Sequence, residues 1–204
     1  SPSEIAPRQV LKKIVGLLKE EQLSAVVAPE LEFYLCEQNL DPDLPLKTPI
    51  GKSGRREKGS RVFGIDAVNE FDDLTDDIYD YCEILKIGVD TLIHESGPSQ
   101  IEINLNHGDP LELADQAFMF KRAVRQVALK HGIHATFMSK PYQGHPGSSM
   151  HIHQNIISDV TNKNIFSDEN GNNTQEFFHY IGGLQTYLPD AMLFFAPYVN
   201  SYRR

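Results

Sequence analysis

Two carboxylates stand two residues apart in Val27-Ala28-Pro29-Glu30-Leu31-Glu32-Phe33-Tyr34-Leu35, an otherwise apolar, β-forming run. Side chains alternate along a strand, so Glu30, Glu32 and Tyr34 share one face while Leu31, Phe33 and Leu35 share the other. At a rise of about 3.3 Å per residue the acid β-carbons lie roughly 6–7 Å apart, and the charges repel unless a cation or water covers them. In "QIEINLN", Gln100, Glu102, Asn104 and Asn106 share a polar face opposite Ile101, Ile103 and Leu105. Glu95 closes "VDTLIHE", and His151, His153 and Asn155 share a face of "MHIHQNI". Carboxylates with one or two imidazoles suit Mg²⁺ or Mn²⁺ rather than a soft metal. Four carboxylates exceed what one such ion usually takes, so two ions or more are expected. Any one of these acids reads equally well as the solvent face of a half-exposed strand. As a set they do not, because their faces carry no Lys or Arg to balance them.

The elements that must position these residues follow from periodicity and caps. Pro7, Val10, Leu11, Ile14, Leu17 and Leu18 predict a helix to about Glu21, ahead of the Glu30 strand. From Glu37 to about Gly64 the pattern dissolves into Pro, Gly and charge, with Lys52, Arg55, Arg56, Lys58 and Arg61 in one run. That run reads as a solvated, mobile loop, or alternatively as an anion-contacting flap. Leu74, Ile78, Tyr81 and Leu85 mark a second helix, and Ser96-Gly97-Pro98 a turn between strands. The clearest helix spans Pro110 to His131, with Asp109 as N-cap, Glu112 placed for a capping box and Gly132 as stop. Its Leu113, Ala117, Phe120, Val124 and Val127 form one apolar stripe. A strand "IHATFM", the loop "KPYQGHPGSS" and the His151 strand follow, then two final helices, Phe177–Leu188 and Ala191–Phe195, packed by Phe178, Ile181, Leu184 and Leu193. Mingled helices and alternating strands predict an α+β fold with a largely antiparallel sheet.

Composition narrows the class. With 204 residues, 40% hydrophobic and 23% charged, the chain is one globular domain or one and a half. It has no apolar run of about 18 residues and no signal-peptide pattern, so no membrane partner is expected and the cytoplasm is the default location. Cys36 and Cys82 are too few for a disulfide framework or a cysteine metal site. A net charge of −9 argues against nucleic acid. No G-x-S-x-G, P-loop or Rossmann glycine pattern is present. The opening "SPSEIAPRQ", without Met, and the close on "NSYRR" read as those of an excised piece.

Four phrases, "APELEFYL", "HESGPSQIEINL", "KPYQGHPGSSMHIHQN" and "APYVNSYRR", resemble the motifs of the glutamine synthetase catalytic domain in that family's order. "EINLNHGDPLELADQ", "ATFMSKP" and "FAPYVNSYRR" most resemble its bacterial γ-glutamylpolyamine and γ-glutamylamide synthetase branch. The resemblance implies an ATP-dependent ligase that joins an amine or ammonia to glutamate through γ-glutamyl phosphate. It implies Glu32, Glu95 and Glu102 as ligands of a first divalent ion, and Glu30 with His151 as ligands of a second. It places Asp90, His153 and Asn155 near ATP, and Gly147 and Arg204 at the amino-acid substrate. Pro146 stands where glutamine synthetases usually carry an asparagine, which turns the expected acceptor from ammonia toward an organic amine such as a polyamine. A homo-oligomeric parent with shared active sites is implied too, along with a β-grasp domain and a phosphoryl-stabilising arginine segment that this chain lacks, so the fragment alone is expected to be inactive. The rivals are a non-catalytic protein of the same fold, used for binding or assembly, and a two-metal hydrolase.

Overall fold

The computed structural model describes residues 3–59 and 61–203. In chain order the elements are α1 (Pro7–Glu20), β1 (Leu23–Glu37), α2 (Ile65–Asn69), α3 (Asp72–Ile84), β2 (Val89–His94), β3 (Gln100–Leu105), α4 (Pro110–Lys130), β4 (Ile133–Thr136), β5 (Met150–Ser158) and α5 (Gln175–Phe195), then a 3₁₀ turn at Val199–Arg203. The strand order is β2-β3-β1-β4, and β5 also pairs with β1. The β1–β3, β1–β4 and β2–β3 pairs are antiparallel, so the α+β expectation holds. No helix among the described residues is long and apolar enough to cross a membrane.

The chain divides into two compact units. One holds Pro29–Asn106, Gln116–His151 and the stretch from Tyr198. Its core forms where the apolar face of β1 (Leu31, Phe33, Leu35) meets Ile101 and Ile103 of β3, with Ile78 and Cys82 of α3 and Phe120, Val124 and Val127 of α4 buried alongside. Phe33 sits at the centre, its ring 6.5 Å from Phe120 and 5.2 Å from Phe137. Each such side chain stabilises the fold by about 1.5–3 kcal/mol relative to exposure. Cys36 and Cys82 are buried free thiols, and burial pushes each up to about 11. The second face of β1 is covered as well. Tyr34 packs on Tyr142 with ring centroids 5.1 Å apart, so the Tyr34 end of the acid-bearing face is buried.

The polar stretch after β1 is tied down at several points rather than loose. Ile50 and Arg56 form a β-bridge, Arg56 pairs with Glu37, and Lys52 reaches Asp72 at 2.5 Å. Glu57 turns inward, where its Oε2 lies 2.9 Å from His94 Nε2 and accepts from the Ser99 N–H at 2.6 Å. Charge density alone suggested mobility; an inward Glu57 anchors the run instead.

The other unit holds the chain up to Ala28, His107–Asp115 and Ile152–Pro197. Val27 and Gly108 exchange backbone hydrogen bonds, and Asp109 caps α4 by accepting from Leu111 N (2.9 Å) and Glu112 N (3.1 Å). Phe166 packs against Phe177 and Tyr180. The expectation of two final helices is corrected here, because α5 runs unbroken through Pro189. A proline costs one backbone hydrogen bond and some bending, and the flanking turns carry the helix across it. The packing role expected of its apolar residues is corrected in part: Leu184 is half-buried, whereas Phe178 is 56% and Leu193 70% exposed. Helical period shows which side chains share a face, not what lies against them.

Candidate active site

The β1–β3 register sets Glu30 opposite Asn104 and Glu32 opposite Glu102. Two acids directly across an antiparallel pair repel each other, and burial strengthens the repulsion. Glu32 is 7% and Glu102 6% exposed, while Glu30 and Glu95 are half-buried. The Glu102 carboxyl is pushed up to about 7, first by burial and then by the charges of Glu30, Glu95 and Glu32. The Tyr34 phenol on the same face is raised as well, by burial first and then by Glu32 and Glu95. More negative charge is gathered here than the surrounding protein neutralises.

Each acid is nevertheless oriented. Glu32 Oε2 accepts from Gln100 Nε2 at 3.0 Å and from Ser149 N at 3.1 Å, and its Oε1 accepts from Ser149 Oγ. Glu95, just past β2, accepts from the Ser96 N–H at 2.8 Å and the Ser96 hydroxyl at 3.1 Å. His151 Nδ1 lies 3.1 Å from Glu30 Oε2 and 4.0 Å from Glu32 Oε1. Glu30, Glu102 and His151 each offer one ligand atom, all within 4.8 Å of one another. Ligands about 2.1–2.4 Å from one ion occupy such a span. Carboxylate oxygens with one imidazole nitrogen are the donors a hard divalent cation takes, so the residues fit such an ion.

The loop after β4 closes over this group. Tyr34 donates its hydroxyl proton to the Pro146 carbonyl at 2.7 Å, and the Gly147 carbonyl accepts from Gln100 Nε2 at 3.2 Å. Gly97 makes this approach possible, since a Cβ there would stand 1.8 Å from Tyr34 Oη. Of the residues singled out in the sequence, Glu30, Glu32, Glu95, Glu102, His151 and Gly147 thus fall in one unit and, Glu95 through its charge, around one acid cluster. Asp90 is exposed on β2, where its charge helps raise the Tyr79 phenol, behind burial and Cys82. His153 and Asn155 lie on the part of β5 in the other unit, and Asn155 Oδ1 accepts from Asn164 at 2.9 Å. Arg204 lies outside the described residues. Gln100, Ser149 and the His94–Glu57 pair had no role in the sequence reading. Only Gln100 left a trace there, as a neutral amide on the acid face.

Residues 4–204 match the family described as the glutamine synthetase catalytic domain. The γ-glutamylputrescine synthetase PuuA of Escherichia coli is 39% identical over 206 residues, a match that covers all of this chain and 43% of that protein. A glutamine synthetase of Pyrococcus abyssi is 34% identical over 198 residues, covering 97% of this chain and 42% of that protein. The chain spans less than half the length of these relatives. Among solved structures, ligand-free GmaS superposes with a TM-score of 0.84 at 27% identity, covering 100% of this chain and 46% of that one. The Plasmodium falciparum glutamine synthetase superposes with a TM-score of 0.86 at 24% identity over 100% and 44%, a likeness of fold alone.

Proposed function

The chain belongs to the glutamine synthetase catalytic-domain family, and from that premise we propose that it serves an ATP-dependent carboxylate–amine ligase that makes a γ-glutamyl amide. The observation that carries this reading is the buried surplus of carboxylate at Glu30, Glu32, Glu95 and Glu102, with His151 beside it. The reaction passes the γ-phosphoryl group of ATP to the γ-carboxylate of glutamate, and an amine then displaces phosphate from the acyl phosphate. Two anions must meet in the first step. Bound divalent ions supply charge neutralisation and alignment for that encounter.

The chain's own residues prepare the site for them. Glu32, Glu95 and Glu102 would hold one ion and Glu30 with His151 the other, and the Glu102 ligand atom lies within 4.8 Å of those of Glu30 and His151. Ser149 and Gln100 fix the Glu32 carboxylate, and Ser96 fixes that of Glu95, so little rearrangement is needed when cations arrive. Gly147 belongs to the loop at the amino-acid end of glutamate, and Arg204 to its carboxylate. Asp90, His153 and Asn155 are assigned to the nucleotide. No side chain is asked to act as a nucleophile. The whole protein is expected to act on small molecules and to form a homo-oligomer.

An organic primary amine is the proposed acceptor. PuuA, 39% identical, is named for putrescine. Pro146 brings no side-chain donor and no N–H, and its carbonyl is already engaged by Tyr34. The test is phosphate release from ATP by the full-length protein with Mn²⁺ or Mg²⁺, glutamate and a panel of amines. Release should require both glutamate and an amine, with kcat/KM for a diamine at least tenfold above that for ammonia. Release without glutamate would mark a hydrolase, no release with any pair would mark a binding protein, and a preference for ammonia would mark a glutamine-forming enzyme.

A further inference from the structure

Gln100 is fully buried at the start of β3, opposite Tyr34 of β1. Its Oε1 accepts from the Gly97 N–H at 2.8 Å. Its Nε2 lies 3.0 Å from Glu32 Oε2, 3.2 Å from the Gly147 carbonyl oxygen and 3.3 Å from Ser148 Oγ. These partners fix the amide's orientation. Turned over, it would set oxygen against a carboxylate and a carbonyl, and an NH₂ against an N–H. One of its two amide protons serves Glu32 and the other the Gly147–Ser148 turn, so one rigid planar group spans a site carboxylate and the loop above it.

Burying a primary amide is costly unless every polar position finds a partner, and an apolar side chain of the same length would carry no such requirement. A glutamate there would face Glu32 with a second negative charge. Only a side chain with two donors and one acceptor at this reach satisfies Glu32, Gly147 and Gly97 together. Ser149, which contacts Glu32 directly, ties down the residue after that turn but not the turn itself.

We propose that Gln100 is a positioning residue that couples the Glu32 carboxylate to the Gly147–Ser148 turn, so that cation occupancy on one side and order of the substrate loop on the other change together. The identity of the cation and of the loop's substrate rests on the ligase reading above; the mechanical link does not. A cation that draws charge from Glu32 changes the strength of its bond to Nε2, and the same amide plane holds the loop carbonyl. Loop order then reports cation binding through one side chain.

The Ser148 N–H, which donates to the Ser139 carbonyl at 2.9 Å, provides the reporter. Amide hydrogen exchange is followed on the full chain, first in EDTA. Gln100→Met keeps the length and removes every bond of the amide, and exchange at Ser148 should quicken about tenfold or more while the α4 amides stay unchanged. Gln100→Leu likewise removes both donors and the acceptor; the same acceleration is expected, and this second variant covers failure of the first to fold. Exchange at Ser148 equal to that of the unsubstituted chain in either folded variant overturns the proposal. Mn²⁺ is then titrated, with binding followed by calorimetry. In the unsubstituted chain Ser148 protection should rise with the same midpoint as Mn²⁺ uptake, and in Gln100→Met uptake should persist while Ser148 no longer follows it. Protection that follows Mn²⁺ equally in the variant also overturns the proposal. If the unsubstituted chain takes up no Mn²⁺, the ligase reading fails and the EDTA arm still decides the role of Gln100.

Discussion

Replacing Glu102 with Gln should make the metal-free protein more stable at pH 8, although it removes a proposed ligand. The Glu102 carboxyl is 6% exposed and pushed from an ordinary 4.5 up to about 7. At about 1.4 kcal/mol per pH unit, that difference amounts to about 3 kcal/mol held against the folded, ionised state. The folded value lies above the unfolded one, so the folded protein keeps a proton between pH 4.5 and 7 that the unfolded chain gives up. The favourable contribution is therefore complete below about 4.5, is lost as pH rises toward 7, and leaves no slope above that. Glu102→Gln abolishes this titration and relieves Glu30, Glu32 and Glu95 of one charge. Denaturant unfolding in EDTA should show the unsubstituted protein losing stability across that window and the variant staying flatter. At pH 8 the variant should be ahead by up to about 3 kcal/mol. Saturating Mn²⁺ should reverse the order, since a ligand at about 1,000 times its Kd adds about 4.1 kcal/mol to the protein that binds it. A variant less stable than the parent at pH 8 in EDTA would refute the claim that the cluster holds surplus charge.

Gly97→Ala should destabilise the fold by about 3 kcal/mol in denaturant unfolding, because its Cβ would meet Tyr34 Oη at 1.8 Å and Cζ at 2.4 Å; a neutral result would mean the loop rearranges freely. Asp109→Ala should cost about 1 kcal/mol by leaving the Leu111 and Glu112 N–H groups without their cap. Glu57→Ala strips the buried His94 ring and the Ser99 N–H of a partner, for a loss of about 2 kcal/mol and faster proteolysis of the 50–59 segment. Unchanged proteolysis would show that Glu57 does not anchor that run.

Local signals were legible where a few neighbouring residues decide the outcome. Asp109, Pro110 and Gly132 frame α4 from within about one turn of each end, and Gly132 adopts the expected left-handed backbone at φ +73°. Alternation likewise placed Glu30 and Glu32 on one face of β1. The five-residue α2 is too short to show a period, and Pro189 looks like a stop whenever the turns on both sides are not weighed. The exposed faces of α1 and α5 mark the same limit from the other direction, since amphipathicity is a property of the segment and burial a property of its surroundings.

The site depends on choices alternation cannot make. That Glu32 meets Glu102, and not Asn104, is a matter of register, and the bond between Gln100 and Glu32 joins residues 68 positions apart. The acids do not set that register themselves, because their mutual repulsion opposes the pairing. Leu31, Phe33 and Leu35 set it from the opposite face, where all three are buried and Phe33 meets Phe120 of α4. A slip of one residue would carry Glu30 and Glu32 into that core and the three apolar side chains out of it. Each apolar side chain so exposed would forfeit about 1.5–3 kcal/mol, a sum larger than the roughly 3 kcal/mol that the Glu102 charge opposes. The apolar face of β1 therefore holds Glu30 and Glu32 beside Glu102 in a place they would not choose, short of the positive charge that the proposed cations would supply.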